Sequence, residues 1–94
     1  MTTIYEGPLS VLCDTHTIPI LLFVGERGPC SKTDIYSSVG RNPNMPKKID
    51  SLAESGLIEL EPKGDGRATR ILLTGKGARV VELLRDMEQA MSGL

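Results

Sequence analysis

The sequence predicts a mostly helical α+β domain, in which three helices lead into a two-stranded hairpin and a longer helix follows. Three observations in the stretch Arg41 to Gly77 carry this reading. Met45, Ile49 and Leu52 fall at spacings of four and three, with Ala53 beside them, so a helix there turns one apolar stripe inward. Gly56 supplies the stop, because glycine takes the left-handed conformation that closes a helix without penalty. After it, Leu57-Ile58-Glu59-Leu60-Glu61 alternates with period two, Lys63-Gly64-Asp65-Gly66 has turn chemistry, and Arg67 to Leu73 returns as a second strand.

Ninety-four residues make one domain with a modest core, spanning residues 1–94. The chain is 39% hydrophobic and 24% charged, as an ordinary globular protein is, but has one Phe, two Tyr and no Trp, so the core must be aliphatic. No apolar run reaches the roughly 18 residues that span a bilayer. The start, MTTIYEGPL, lacks the basic residues and long apolar run of a signal peptide, so the expected location is cytoplasmic, with no membrane partner. Cys13 and Cys30 are too few for a disulfide framework and too far apart for a C-x-x-C site. Both read as ordinary thiols. The sharper alternative is a redox switch, for which Cys30, near Arg27 and Lys32, is the better placed.

The net charge of −1 conceals a segregation. Residues 1–40 carry two basic and four acidic side chains, residues 41–79 eight and five, and residues 80–94 one and three. The helix-and-hairpin segment is therefore the only basic part, and a local basic face matters more to nucleic acid than the total does.

Taken in order, Thr3-Ile4-Tyr5 is either a short strand or an arm, and Leu9-Ser10-Val11-Leu12 suits a helical turn after Gly7-Pro8. The first firm helix covers residues 16–26, capped by Thr15 or Thr17, with Pro19 in its first turn. It is apolar on nearly every face, so it is wrapped by its own domain or shared with a second subunit. The second helix, residues 31–39, opens on Ser31-Lys32-Thr33-Asp34, an S-x-x-[DE] capping arrangement, and Ile35 and Val39 face the core. The third, residues 43–55, has Asn42 or Asn44 as cap and Pro43 or Pro46 in its first turn. Two short helices joined by a few residues including glycine make a helix-turn-helix pattern. The hairpin takes residues 57–73. The last helix, residues 75–92, starts from Thr74 as cap, with Leu73 and Ala78 as a hydrophobic staple. Along it Val80, Leu84, Met87, Met91 and Leu94 step by four, three, four and three, a heptad seam flanked by Leu83. It either packs on its own domain or, projecting beyond so small a body, meets a partner helix.

The steps Leu52, Gly56, Leu57, Ile58, Glu59 and Leu73, Thr74, Lys76, Gly77, with the order of elements between Ile18 and Leu84, resemble winged helix-turn-helix transcription regulators of the HxlR, PadR and MarR type, HxlR-like regulators best. The resemblance implies a winged helix-turn-helix with a short two-stranded wing and flanking dimerisation helices. It further implies a homodimer on double-stranded DNA, with the third helix in a major groove and the wing along the backbone or minor groove. On that basis Asn42, Asn44, Lys47 and Lys48 face DNA beside Arg41, Ser31 and Lys32 meet phosphate at the start of the second helix, and Lys63, Arg67 and Arg70 belong to the wing. Each has a plainer role available: Asn42 or Asn44 as a cap only, Lys47 and Lys48 as a solvated face, Arg70 paired with Glu59 or Glu61 across the hairpin. The expected dimer interface comprises Ile20, Phe23, Val80, Leu83, Leu84, Met87, Met91 and Leu94. Arg41-Asn42-Pro43 departs from the usual serine-containing entry to the third helix, and the wing is short, so the resemblance carries no base specificity.

Catalysis finds little support. His16 is the single histidine, Cys13, Asp14 and His16 are too few ligands in one turn for a metal, and no GxxxxGK[ST] phosphate loop is present. The expectation is a regulator, not an enzyme, without cofactor or metal. Its effector is undefined. A protein-interaction module and a cysteine- or ligand-sensing regulator are the competing readings.

Overall fold

Helix α1 (Thr17–Arg27) packs against every layer of the molecule, because almost no face of it is polar. The structure is a computed structural model that describes residues 7–13, 16–41, 43–62 and 69–93. Ile20, Leu21 and Val24 of α1 are buried in a core completed by Ile35, Met45, Ile49, Leu52, Leu57, Ile58, Ile71 and Val81. It contains no aromatic side chain, as the composition requires. Ile20 was expected between subunits, but it is wholly enclosed by its own domain. Thr15 lies outside the described residues, and Thr17 is buried and does not cap α1. The cap position is held by His16 in a left-handed conformation (φ 76°), without a side-chain capping bond. A 3-10 segment, Pro8–Cys13, packs on α1.

Helix α2 (Lys32–Ser38) begins with both halves of the predicted capping box. The Asp34 amide donates to Ser31 Oγ at 3.1 Å and the Ser31 amide donates to Asp34 Oδ2 at 3.0 Å. Helix α3 (Met45–Glu54) buries Met45, Ile49 and Leu52 completely, with Pro46 in its first turn. Asn44 occupies its cap position without a side-chain capping bond. Gly56, at φ 81°, ends it: the Gly56 amide donates to the Ala53 carbonyl and the Leu57 amide to the Leu52 carbonyl, the paired bonds of a Schellman closure.

Strands β1 (Ile58–Pro62) and β2 (Thr69–Leu73) pair antiparallel, with Ile58 opposite Leu73 and Glu61 opposite Arg70. The predicted turn Lys63-Gly64-Asp65-Gly66 lies outside the described residues. Cys30 adds a bridge to the other edge of β2, exchanging two backbone hydrogen bonds with Ile71 at 3.0 and 2.7 Å. The hairpin is thus tied to the α1–α2 connection. Helix α4 (Gly75–Met91) starts from Thr74, whose Oγ1 accepts from the Gly77 amide at 3.0 Å. Ala78 is exposed and Gly77 is buried instead, so the predicted staple gives way to a glycine packed on β1. Val81 belongs to the core, whereas Leu83, Met87 and Met91 are 45%, 57% and 84% exposed, so the distal half of α4 is uncovered.

Candidate nucleic-acid interface

The buried stripe of α3 fixes what its other side presents. With Met45, Ile49 and Leu52 inward, Lys47, Asp50 and Glu54 are exposed, and Lys48 is half-buried at the flank. The outward surface is therefore divided: both lysines stand in the first turns, and the two carboxylates follow. Arg41 is exposed just before α3, its guanidinium 6.0 Å from the centre of the Tyr36 ring, at the outer reach of a cation–π contact. Arg41, Lys47 and Lys48 form a basic cluster at the N-terminal end of α3.

The other expected contacts are placed less favourably. Ser31 Oγ already accepts the Asp34 amide, and the Asp34 carboxylate sits at the start of α2, 3.7 Å from Arg27. A helix start that holds its own carboxylate has less attraction left for phosphate. Arg70 donates from Nε and Nη2 to Glu61 Oε1 at 3.2 and 2.6 Å, so its charge is matched across the hairpin. Asn42, Lys63, Arg67 and Leu94 lie outside the described residues. Among the described residues there is no group of three metal-ligating side chains, and no helix is long and apolar enough to cross a membrane.

The two thiols exchange their expected roles. Cys30 is 5% exposed, and burial, reinforced by the Asp34 carboxylate and opposed by Arg27, raises its pKa above the usual 9.0. A protonated, enclosed thiol is a poor redox sensor. Cys13 is the exposed one. It lines an apolar hollow of about 350 Å³ with Leu9, Leu12, Ile18, Val80, Leu83, Leu84 and Met87. A second hollow, about 190 Å³, continues along α4 between Ile18, Leu22, Leu84, Met87 and Met91. Because the two share Ile18, Leu84 and Met87, they form one apolar trough. Phe23, expected at an interface, instead packs half-buried against the core, and α1 contributes Ile18 and Leu22 to the trough.

No family model matches the sequence, and no curated protein does. Solved structures match its fold throughout. A protein of Porphyromonas gingivalis W83 assigned to the MarR family superposes with a TM-score of 0.74 at 16% identity, covering 99% of this chain and 100% of that one. The fold is a MarR-type winged helix. Bordetella bronchiseptica BpsR, whose DNA binding is regulated by 6-hydroxynicotinic acid, gives 0.77 at 16% identity over 93% of this chain and 77% of its own. A cysteine-to-serine mutant of Escherichia coli MarR gives 0.70 at 20% identity over 81% of this chain, which spans only 58% of that protein's length. At such identities the agreement is one of architecture. In winged-helix terms α2 and α3 are the helix-turn-helix, β1 and β2 are the wing, and the trough runs along α4.

Proposed function

We propose that this chain is a DNA-binding transcription regulator that works in the cytoplasm as a homodimer, without catalytic activity. The observation that carries the reading is the basic cluster Arg41, Lys47 and Lys48 at the exposed N-terminal end of α3, on a winged-helix frame. Lysines there reach phosphate or guanine, and Asn44 and Asn42 are near enough in sequence to read an adenine edge. The trough supports dimerisation: Leu83, Met87 and Met91 are exposed on one helix that also carries Val80 and Leu84. Two subunits joined there would set two copies of α3 over half-sites about 34–36 Å apart, so a pseudo-palindromic operator is expected. The HxlR-like assignment within this class rests on the Leu52–Glu59 and Leu73–Gly77 steps.

The test is a gel-shift series across salt with a duplex selected by the protein from a random pool. In Lys47→Ala/Lys48→Ala, two lost phosphate contacts should flatten the slope of log K against log salt by about 1.8. Unchanged binding would remove those lysines from the interface. Asp50 and Glu54, on the same exposed side of α3, favour a second reading as a protein-interaction module. Absence of binding to random duplex by micromolar protein at low salt would select it. Cysteine sensing, if present, falls to Cys13, and double Cys→Ser without effect on an oxidant response would remove it.

A further inference from the structure

The Leu73-Thr74-Gly75-Lys76-Gly77 step does more than begin a helix. Thr74 Oγ1 donates to the Gly56 carbonyl at 2.5 Å, the Thr74 amide donates to the Leu57 carbonyl at 3.2 Å, and Lys76 Nζ donates to the Ser55 carbonyl at 3.1 Å. Three successive carbonyls after α3 are thus each engaged from the first turn of α4. Gly77 packs so closely on the Leu57 carbonyl that a Cβ would collide with it. The last carbonyls of a helix have no partner within it and carry partial negative charge, so an ammonium group is suited to this end.

We infer that Lys76 is a positioning residue for the DNA-facing helix. With Thr74 it fixes the C-terminal end of α3 to α4, and so sets the angle at which Lys47 and Lys48 are presented. It also makes α3 follow α4, whose far end carries the exposed apolar side chains. This inference rests on the DNA-binding reading.

The test compares full-length wild type, Lys76→Met, which keeps the apolar stem and loses the donors, and Lys76→Arg, which restores a cation. Binding to the selected duplex and to a random duplex is measured across salt, and amide exchange is measured in the free protein. For Lys76→Met, affinity for the selected duplex should fall about tenfold, the scale of one hydrogen bond to a charged group. Random-duplex binding and the salt slope should not change, the Gly56 and Leu57 amides should exchange faster, and Lys76→Arg should recover both. A loss shared equally by both duplexes, with a slope lowered by about one contact, would make Lys76 a phosphate ligand instead. Unchanged selected-duplex affinity would also overturn the inference, leaving faster exchange as a purely structural effect. Failure of wild type to bind either duplex would overturn the DNA reading and the inference with it. The exchange measurement would then still decide whether Lys76 holds α3.

Discussion

Single residues divide sharply into those whose role local chemistry decides and those that the fold decides. Ser31, Asp34, Gly56 and Thr74 behave as their types and spacings dictate, because a cap or a helix stop is settled within a few residues. Cys30 could not be judged that way. Its sequence neighbours Arg27 and Lys32 suggested a reactive thiol, whereas its enclosure comes from pairing with Ile71, forty-one positions away on β2. Iodoacetamide should therefore label Cys13 in the native protein and Cys30 only on unfolding, which peptide mass mapping would read. The raised pKa has a pH consequence of definite sign. Between the unfolded value near 9.0 and the higher folded one, the unfolded state binds fewer protons. The contribution of Cys30 to stability is thus complete below pH 9 and is lost as pH rises through the folded pKa. Urea midpoints across alkaline pH should fall more steeply for wild type than for Cys30→Ala.

At the scale of elements, the helix-and-hairpin stretch was legible because its period changes are abrupt and each is punctuated by glycine or a cap. Helix α1 was not legible in the same way. A helix apolar on nearly every face offers no moment from which to choose its orientation. Ile20 and Phe23 were assigned outward, but Ile20, Leu21 and Val24 turn to the core, leaving Ile18 and Leu22 for the trough. The capping box hid a cost to function: the carboxylate that stabilises α2 also occupies the end where phosphate was expected. Where α4 meets β1, Gly77→Ala should destabilise the protein by about 3 kcal/mol, the upper range for overpacking, because the obstruction is backbone and not a movable side chain. Urea denaturation would measure it. A loss below about 0.5 kcal/mol, the scatter of ordinary surface changes, would mean that the two elements separate easily.

For the whole molecule, the trough along α4 makes assembly the main open question. Leu83→Glu/Met87→Glu replaces two exposed side chains, so the monomer should stay folded by circular dichroism while sedimentation shifts from dimer to monomer. A wild-type protein that sediments as a monomer at tens of micromolar would refute assembly through this surface. The divided surface of α3 bears on the free protein as well. Lys47 and Lys48 stand near the positive end of the helix dipole and Glu54 near the negative end, opposite to the arrangement that stabilises an isolated helix. Each such placement costs about 0.3–1 kcal/mol when unscreened. Salt should consequently act in two directions at once: added chloride relieves this internal repulsion and slows amide exchange within α3, while it weakens the hold on a duplex. A helix made less stable by its own charges is one that a phosphate backbone, brought to its N-terminal end, would firm up.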